Sequence, residues 1–211
     1  MQVLKDEVQL EILRQARQEF LAKGYREASL RAITQGAGMT VGNIYRYFAS
    51  KDALFRELLA PVIGQIEMMK MALRQHAAQE HEPSDEAAEH EQMVLLVYNF
   101  IRKHRDDLKL LLSGAGGSSL ENFREELINW YGAIYRKYME EAWKFLGQGE
   151  LQIHERTIYL ISQSVEAALI ECIIHDYSLE EVKQVAEEMF SFFSGGSRQI
   201  IEDKLKMKNE R

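Results

Sequence analysis

Hydrophobic side chains recur at helical spacing along most of this 211-residue chain. Near the amino end Val8, Ile12, Ala16 and Phe20 lie four residues apart, which predicts a first helix that Gly24 ends as a left-handed cap. Stretches in which Val, Thr or Ile alternate with polar residues, as in β-strands, are missing, and only two prolines interrupt the chain. The pattern therefore predicts an all-α protein.

Three hydroxyl residues predict where the next helices begin, because Ser and Thr are favoured at helix N-caps: Ser29, Thr40 and Ser50. Gly38 suits a tight reversal between the second and third helices. The apolar positions expected to face inward in those two helices are Leu30, Ile33, Ala37, Val41, Ile44 and Phe48. The fourth helix should run from Lys51 through Pro61 to about His76, because a proline can kink a helix without ending it.

The remaining chain predicts further helices and three interruptions. The segment 76–92 is polar and acidic and contains Pro83, which indicates a loop or frayed connection. A glycine-rich loop is expected at 114–119, and Gly195 with Gly196 should end the last long helix before a short tail helix. The helices expected in this part are about 91–105, 106–113, 120–146, 154–175 and 179–194.

Charge differs between the two parts of the chain. Residues 1–56 carry 9 bases and 6 acids, a net charge of +3, whereas the remainder carries 17 bases and 27 acids. Between Ala28 and Lys51 there is no Asp or Glu, which indicates a surface that meets an anion. We therefore expect two domains, residues 1–50 and a larger helical domain of residues 51–211, with the fourth helix connecting them.

A helix-turn-helix is the motif that the second and third helices predict, because Gly38 joins them and the second of the pair would lie in the major groove of B-DNA. Thr40 and Gly42 allow close approach to base edges, and Asn43 can pair bidentately with adenine. Arg31 is placed to reach guanine or a phosphate. Backbone amides at the starts of the second and fourth helices are expected to serve phosphates as well. The hydroxyl and ammonium groups expected toward the DNA backbone belong to Tyr45, Tyr47 and Lys51.

Over roughly residues 8–60 the chain resembles the amino-terminal domain of the TetR family of bacterial repressors, through EFLAKGYREASLRAI and AGMTVGNIYRYFASKDAL. The positions in family register are Phe20, Gly24, Tyr25, Gly38, Tyr45, Tyr47, Phe48 and Lys51. Small or apolar residues are usual in the family at three positions that differ here, Gln15, Arg17 and Thr34. The DNA contacts that the resemblance implies fall on Ser29, Arg31, Thr40, Val41, Gly42, Asn43, Tyr45, Tyr47 and Lys51. Helical spacing adds Arg46 to this open face. The alternative to a DNA-binding helix-turn-helix is a three-helix packing domain without a DNA-binding role.

Aromatic residues are concentrated in the helix expected over 120–146, which holds seven of the 20 in the chain and both tryptophans. They fall on more than one face, so several sides of this helix need cover or a wet cavity. The resemblance implies that this domain binds a small effector, here an apolar or aromatic one, and the alternative for each ring is ordinary core packing. The candidate ligand-binding residues are Tyr98, Phe123, Trp130, Tyr131, Tyr135, Tyr138, Trp143 and His175.

Two adjacent apolar stripes follow on the last two long helices, and such a pair can dock against a second copy as a four-helix bundle. The resemblance implies a homodimer through these helices. The alternative is that both stripes close the core of their own subunit. The candidate interface residues are Ile161, Val165, Ala168, Leu169, Cys172, Val185, Met189 and Phe193.

Several other classes of protein find no support in the sequence. The start is unlike a signal peptide and the longest apolar run, 93–101, is too short to span a bilayer, so we expect no membrane partner and a cytoplasmic location. The single Cys172 excludes an internal disulfide. Glu171 and His175 suit a surface ion pair as well as a ligand contact. Because HExxH, GxGxxG and GxxxxGK[ST] spacings are missing, we expect no metal, no cofactor and no enzymatic activity.

The function expected from these observations is that of a ligand-responsive transcriptional regulator, most simply a repressor. A dimer would bind a palindromic DNA operator and release it when an effector occupies the larger domain. The sequence leaves open an activator. It also leaves open a helical small-molecule-binding protein, an enzyme or an adaptor without a DNA-binding role.

Overall fold

The computed structural model describes residues 2–76, 86–145, 153–175 and 177–209, and these ranges contain helices, turns and connecting segments but no strand. The helices are α1 (Gln2–Glu27), α2 (Leu30–Gly36), α3 (Val41–Ile44), α4 (Lys51–His76), α5 (Glu86–Ser113), α6 (Phe123–Phe145), α7 (Glu155–His175) and α8 (Leu179–Asn209). The all-α prediction is confirmed for the described residues. Much of the connection predicted over 76–92 lies outside them, although α5 already begins within it.

The starts of α2, α3 and α4 lie where the hydroxyl residues predict them. Ser29 (φ −111°, ψ 122°) and Thr40 (φ −89°, ψ 154°) have the extended backbone of an N-cap, but neither side chain makes a capping hydrogen bond. Ser50 does cap α4, since its Oγ accepts the Ala53 N–H at 3.0 Å. As predicted, α4 then continues through Pro61.

Gly24 has the positive φ that the sequence predicts, but it does not end α1 as a left-handed cap. Its φ of 69° is combined with an extended ψ of 172°, so the chain kinks there and makes one more turn to Glu27. The kink directs the Tyr25 N–H to the carbonyl oxygen of Gly114, at 2.8 Å. The reason for the difference is thus a contact with a distant part of the chain.

One helix, α5, occupies the region where the sequence predicts two, over 91–105 and 106–113. His104 (φ −115°, ψ 19°) departs from helical geometry inside it, so a kink lies close to the predicted break. The imidazole of His104 is buried, and its Nε2 lies 2.9 Å from Gln65 Oε1 of α4. This contact joins the kinked position to the amino-terminal helices.

The last helix, α8, is longer than predicted, because Gly195 and Gly196 do not end it. The helix passes through both glycines and takes in the predicted tail helix. Both glycines are exposed, and a Cβ added to either would meet no atom within 4 Å. Glycine costs a helix only about 1 kcal/mol relative to alanine, which a long helix tolerates. The predicted break at these positions is wrong.

Two compact units divide the chain. The amino-terminal unit comprises Met1–Leu73 and His104–Leu127, and the second unit comprises Arg74–Lys103 and Ile128–Arg211. The boundaries of these compact units differ from the boundary at residue 50 that the sequence suggests between the two functional domains. Each of α4, α5 and α6 contributes to both units.

The core of the amino-terminal unit forms around aromatic rings of α1 and α4. The ring centroid of the buried Phe20 lies 4.9 Å from that of Phe55 and 6.0 Å from that of Tyr25. Buried aliphatic and aromatic side chains around this cluster include Ile12, Ala16, Ile33, Ile44, Phe48, Leu54, Leu58, Leu59 and Val62. Val41 is not among them, because at the first position of a one-turn helix it is 36% exposed. Its predicted inward orientation is therefore wrong.

Three polar residues at usually small or apolar positions have identifiable contacts in the amino-terminal unit. Arg17 forms an ion pair with Asp107 of α5, whose carboxylate is largely buried. Thr34 is buried, and its Oγ1 donates to a carbonyl of its own helix at 2.9 Å. Gln15 lies against α2 at Gly36, where an added Cβ would come within 2.4 Å of the Gln15 Oε1. Arg17 and Gln15 thus join α1 to α5 and α2, whereas Thr34 bonds within α2.

Gly24→Ala should lower the free energy of unfolding by about 1–3 kcal/mol, because a side chain is strained at this backbone conformation. The added Cβ would meet the Gly114 carbonyl oxygen at 3.5 Å, an ordinary van der Waals distance, so the cost comes from the backbone conformation. Gly64→Ala is the matched control, since Gly64 is exposed inside α4 with no atom near its would-be Cβ. That change should stabilise the helix by about 1 kcal/mol. Urea unfolding followed by circular dichroism measures both, and equal effects would contradict a strained Gly24.

Candidate nucleic-acid interface

The outer side of α3 and of the turn after it carries most of the residues predicted to touch DNA. Ile44 and Phe48 are buried beneath this segment. The exposed residues are Thr40, Val41, Gly42, Asn43, Tyr45 and Arg46, with Tyr47 half-buried beside them. One short segment thus presents amide, hydroxyl and guanidinium groups to solvent.

Backbone hydrogen bonds hold this segment in shape although α3 has only one turn. The Asn43 N–H donates to the Thr40 carbonyl at 3.0 Å, at the start of the helix. The Tyr47 and Phe48 N–H groups both donate to the Ile44 carbonyl, at 2.9 and 3.0 Å. The side chains that follow α3 therefore project from an ordered turn.

Gly38 sets the angle at which the chain passes from α2 to α3. It has a φ of 67°, in the left-handed region that favours glycine. The Met39 N–H donates to the Thr34 carbonyl at 2.9 Å, and the Gly38 N–H donates to the Gln35 carbonyl at 3.2 Å. This pair of bonds is a Schellman motif, which confirms the predicted reversal.

Ser29 and Arg31 lie at the start of α2 and differ in what they can offer to DNA. Arg31 is exposed, whereas Ser29 is half-buried and its N–H already donates to the Glu19 carboxylate at 3.1 Å. The Lys23 ammonium at 2.8 Å, together with this N–H, holds the pKa of the Glu19 carboxyl below its ordinary value. The Ser29 amide is therefore engaged within the protein.

Lys51 lies next to this segment, but its ammonium points to the protein backbone. Its Nζ donates to the carbonyl oxygens of Tyr25, Arg26 and Ala28 at 2.8, 3.2 and 3.0 Å. The same Nζ lies 4.5 Å from the centre of the Tyr25 ring, a cation–π distance. Lys51 thus joins the start of α4 to the end of α1.

The charge around the exposed segment is positive. No acid occurs between residues 28 and 51, and the Asp52 carboxylate accepts the Ser119 N–H at 2.8 Å. Arg31 and Arg46 are exposed, and neither has an ion-pair partner within the described part of the chain. Two guanidinium groups are therefore available to an anion.

The aromatic residues predicted to bind a ligand are distributed over both units. Phe123 is buried in the amino-terminal unit. Trp130, Tyr131 and Tyr135 are half-buried on α6 in the second unit. Burial raises the pKa of the Tyr131 hydroxyl. These three half-buried rings place aromatic surface along one side of α6 in the second unit.

Four further candidates for ligand binding have different surroundings. Tyr98 is half-buried on α5. His175 is exposed and forms the ion pair that its spacing suggests, with Nε2 at 3.1 Å from Glu171 Oε2. The side chains of Tyr138 and Trp143 lie outside the described part of the structure.

A cleft of about 410 Å³ lies between α6 and α7 in the second unit. Its lining includes Ile128, Gly132, Arg136, Arg156, Ile158 and Ser162, and it includes none of the predicted ligand-binding residues. On α6 the cleft is lined by Ile128, Asn129, Gly132, Ala133 and Arg136, which recur at helical spacing along one side of the helix. Gly132 allows a close approach of α7, since an added Cβ would lie 3.0 Å from Ser162 Oγ. Gly132 and Ser162 are small residues, so neither stands out in the sequence as a candidate ligand-binding residue.

Apolar side chains of α7 and α8 are only partly covered within the chain. Cys172 is buried, and the other candidate interface residues with described side chains are half-buried: Ile161, Val165, Ala168, Val185, Met189 and Phe193. Leu169 lies outside the described side chains. Leu160 and Phe192, which fall outside the predicted stripes, are 61% and 76% exposed. By length and composition alone α7 is long and apolar enough to cross a membrane. A quarter of its apolar stretch is buried within the chain.

The segment that carries the helix-turn-helix matches a known family. Residues 12–58 match the model for bacterial regulatory proteins of the tetR family. YdgC of Bacillus subtilis (strain 168), an uncharacterised HTH-type transcriptional regulator, is 32% identical over 62 residues. That alignment covers 29% of this chain and 32% of YdgC, so the chain matches about a third of the length of this relative.

The likeness in fold extends over most of the chain. NalD, the secondary repressor of the MexAB-OprM multidrug efflux pump in Pseudomonas aeruginosa, aligns with a TM-score of 0.55 at 18% identity, over 88% of this chain and 95% of NalD. FadR from Bacillus subtilis, in complex with stearoyl-CoA, aligns with a TM-score of 0.52 at 16% identity, over 85% of this chain and 96% of FadR. At these identities the likeness concerns the fold, an amino-terminal helix-turn-helix followed by a larger helical part.

Proposed function

Because the amino-terminal domain of this chain belongs to the TetR family of bacterial regulatory proteins, we propose that the protein is a cytoplasmic transcriptional regulator that binds double-stranded DNA as a homodimer. The observation that carries this proposal is the exposed outer side of α3, within a stretch that contains no acid. Residues 1–50 bind DNA, residues 51–211 bind an effector and dimerise, and α4 connects them. The regulator is a repressor that a small effector releases from its operator.

Base recognition falls to the first turn of α3 in this proposal. Exposed Thr40 and Gly42 allow the helix to approach base edges in the major groove. Asn43 offers both a donor and an acceptor, which matches adenine. Val41, partly exposed, suits contact with a thymine methyl group.

Contacts to the DNA backbone come from groups around this turn, and they hold register without reading sequence. The charged ones are the guanidinium groups of Arg31 and Arg46, which are exposed. Hydroxyl groups placed near them belong to Ser29, Thr40, Tyr45 and Tyr47. In a dimer, two such surfaces about 34–36 Å apart read successive major grooves of a palindromic operator.

Asn43→Ala and Arg46→Ala should weaken DNA binding in different ways. Asn43→Ala should cost about 1–3 kcal/mol at particular base pairs and leave other sequences unaffected. Arg46→Ala should weaken binding to all duplexes and reduce the magnitude of the slope of log Kd against log salt concentration by about one, because one phosphate contact is lost. Fluorescence anisotropy measures both, with a duplex that the wild-type protein selects from a randomised pool and with point-mutated copies of that duplex.

Arg102→Ala is the matched control, because Arg102 is an exposed arginine on α5 in the second unit, outside the proposed DNA-binding residues. It should leave both affinity and salt dependence unchanged. A uniform loss in Asn43→Ala would show that Asn43 does not read bases. An Arg102→Ala effect equal to that of Arg46→Ala would show that net charge alone sets the salt dependence.

The homodimer forms through α7 and α8 in this proposal. The half-buried stripes and the exposed Leu160 and Phe192 offer apolar surface that a second copy covers. Such burial contributes about 25 cal/mol for each Å² of apolar surface. A two-fold pairing of these helices gives a four-helix bundle and accounts for the low burial of α7 in the single chain.

Phe192→Glu should convert the dimer to a monomer in sedimentation experiments, because a carboxylate without a partner opposes burial in an apolar interface. Leu10→Glu is the control, since Leu10 is 66% exposed on α1 in the amino-terminal unit. That variant should remain dimeric. A dimer that persists in Phe192→Glu contradicts the proposed interface, as does equal dissociation of both variants.

The effector is proposed to be a small apolar or aromatic molecule. The half-buried aromatic side of α6, with Trp130, Tyr131 and Tyr135, supports this choice, and FadR was solved in complex with stearoyl-CoA on a similar fold. An effector must bind the released conformation more tightly, since only differential affinity shifts a population.

Fatty acids, acyl-CoA thioesters and aromatic compounds should be titrated into the protein–duplex complex, and the effector among them should release the duplex. Turnover of a compound without any effect on the complex would favour an enzyme.

A further inference from the structure

We propose that Lys51 is a positioning residue that closes the helix-turn-helix at its base, and that it does not bind a phosphate of the DNA. The helix-turn-helix is here the segment of residues 29–50, which contains α2 and α3. This inference rests on the proposed DNA-binding function. It replaces the phosphate contact that the family resemblance implies for Lys51.

The contacts of Lys51 use all the hydrogens that its ammonium has. A lysine ammonium donates three hydrogen bonds and accepts none. The three carbonyl oxygens of Tyr25, Arg26 and Ala28 lie at 2.8, 3.2 and 3.0 Å from Nζ. A phosphate oxygen could therefore bind this group only by replacing one of these carbonyls.

Two of the three carbonyl groups that Lys51 meets are ones that need a donor. The last carbonyls of a helix have no partner within the helix and carry partial negative charge. Those of Tyr25 and Arg26 belong to the final turn of α1, after the kink at Gly24. An ammonium at this end satisfies both the hydrogen bonding and the charge, and the half-buried side chain of Lys51 crosses the Tyr25 ring to reach it.

The position of Lys51 in the chain gives this contact its consequence. Ala28, one of the acceptors, directly precedes the N-cap position of α2, and Lys51 directly follows Ser50, the N-cap of α4. One ammonium therefore joins the two ends of the segment 29–50. Beneath it, the rings of Tyr25 and Phe55 have centroids 5.0 Å apart, so the junction is supported by buried packing. The orientation of α3 relative to α1 and α4 is fixed at this junction.

Lys51→Met and Lys51→Arg separate the two roles. Methionine removes the charge and keeps most of the apolar stem. Arginine keeps the charge, but its planar guanidinium cannot direct three hydrogens to three carbonyls around one point. If Lys51 positions the helix-turn-helix, both variants should bind the selected duplex about tenfold more weakly or worse at every salt concentration, which corresponds to about 1.4 kcal/mol. Plots of log Kd against log salt concentration should be parallel to that of the wild type.

The same titrations identify a phosphate contact. In that case Lys51→Arg would bind like the wild type, and Lys51→Met would reduce the magnitude of the salt slope by about one. Either result would overturn the proposal. Wild-type affinity in both variants would overturn it as well, because Lys51 would then not position the DNA-binding surface. Failure of the wild-type protein to bind any duplex in the pool would instead contradict the proposed function.

A measurement on the wild-type protein covers the case in which a variant does not fold. With ¹⁵N-labelled lysine, the Lys51 ammonium should give a slowly exchanging NMR signal in the free protein, because its hydrogens are held by carbonyls. The signal should stay at the same chemical shift when the selected duplex is added. An ammonium that exchanges rapidly in the free protein, or becomes protected only with DNA, would contradict the assignment.

Discussion

The amino-terminal unit depends on how the end of α1 is held. A helix end leaves carbonyl groups that need donors from elsewhere. Here Lys51 donates to two of them, the carbonyls of Tyr25 and Arg26, and to that of Ala28 just beyond the helix. The kink at Gly24 directs the Tyr25 amide to Gly114. Both partners lie far along the chain, so α1, α4 and the loop after α5 meet at one point above the aromatic cluster of α1 and α4. The exposed segment 40–47 projects from this junction, which gives a one-turn helix a defined place.

The elements that could be predicted from sequence are those whose hydrogen bonds close locally. Ser50 caps α4 and Gly38 forms a Schellman turn through bonds that span no more than five residues. Features that depend on distant contacts could not be predicted. The extended ψ of Gly24 accompanies a bond to Gly114, and the kink of α5 places His104 against a side chain of α4. A local pattern contains neither partner.

The candidate site divides in the same way. The outer side of α3 follows from the positions of Ile44 and Phe48, which mark its inner side. The contacts of Lys51 do not follow from family register, because register gives a position and not the groups around it. In the second unit, large aromatic residues are conspicuous in the sequence, whereas the cleft between α6 and α7 depends on Gly132, which no pattern distinguishes. Gly195 likewise resembles a helix stop in sequence, but α8 continues through it.

In the proposed complex two copies of α3 bind DNA from one face of the duplex, and cations around each α3 hold the DNA backbone. Hydroxyl-radical footprinting of the wild-type protein on a duplex selected from a randomised pool tests this arrangement. We expect two protected blocks related by a dyad, with centres about 10–10.5 base pairs or a multiple apart, that weaken steeply with added salt. Uniform cleavage across every selected duplex at low salt would contradict it.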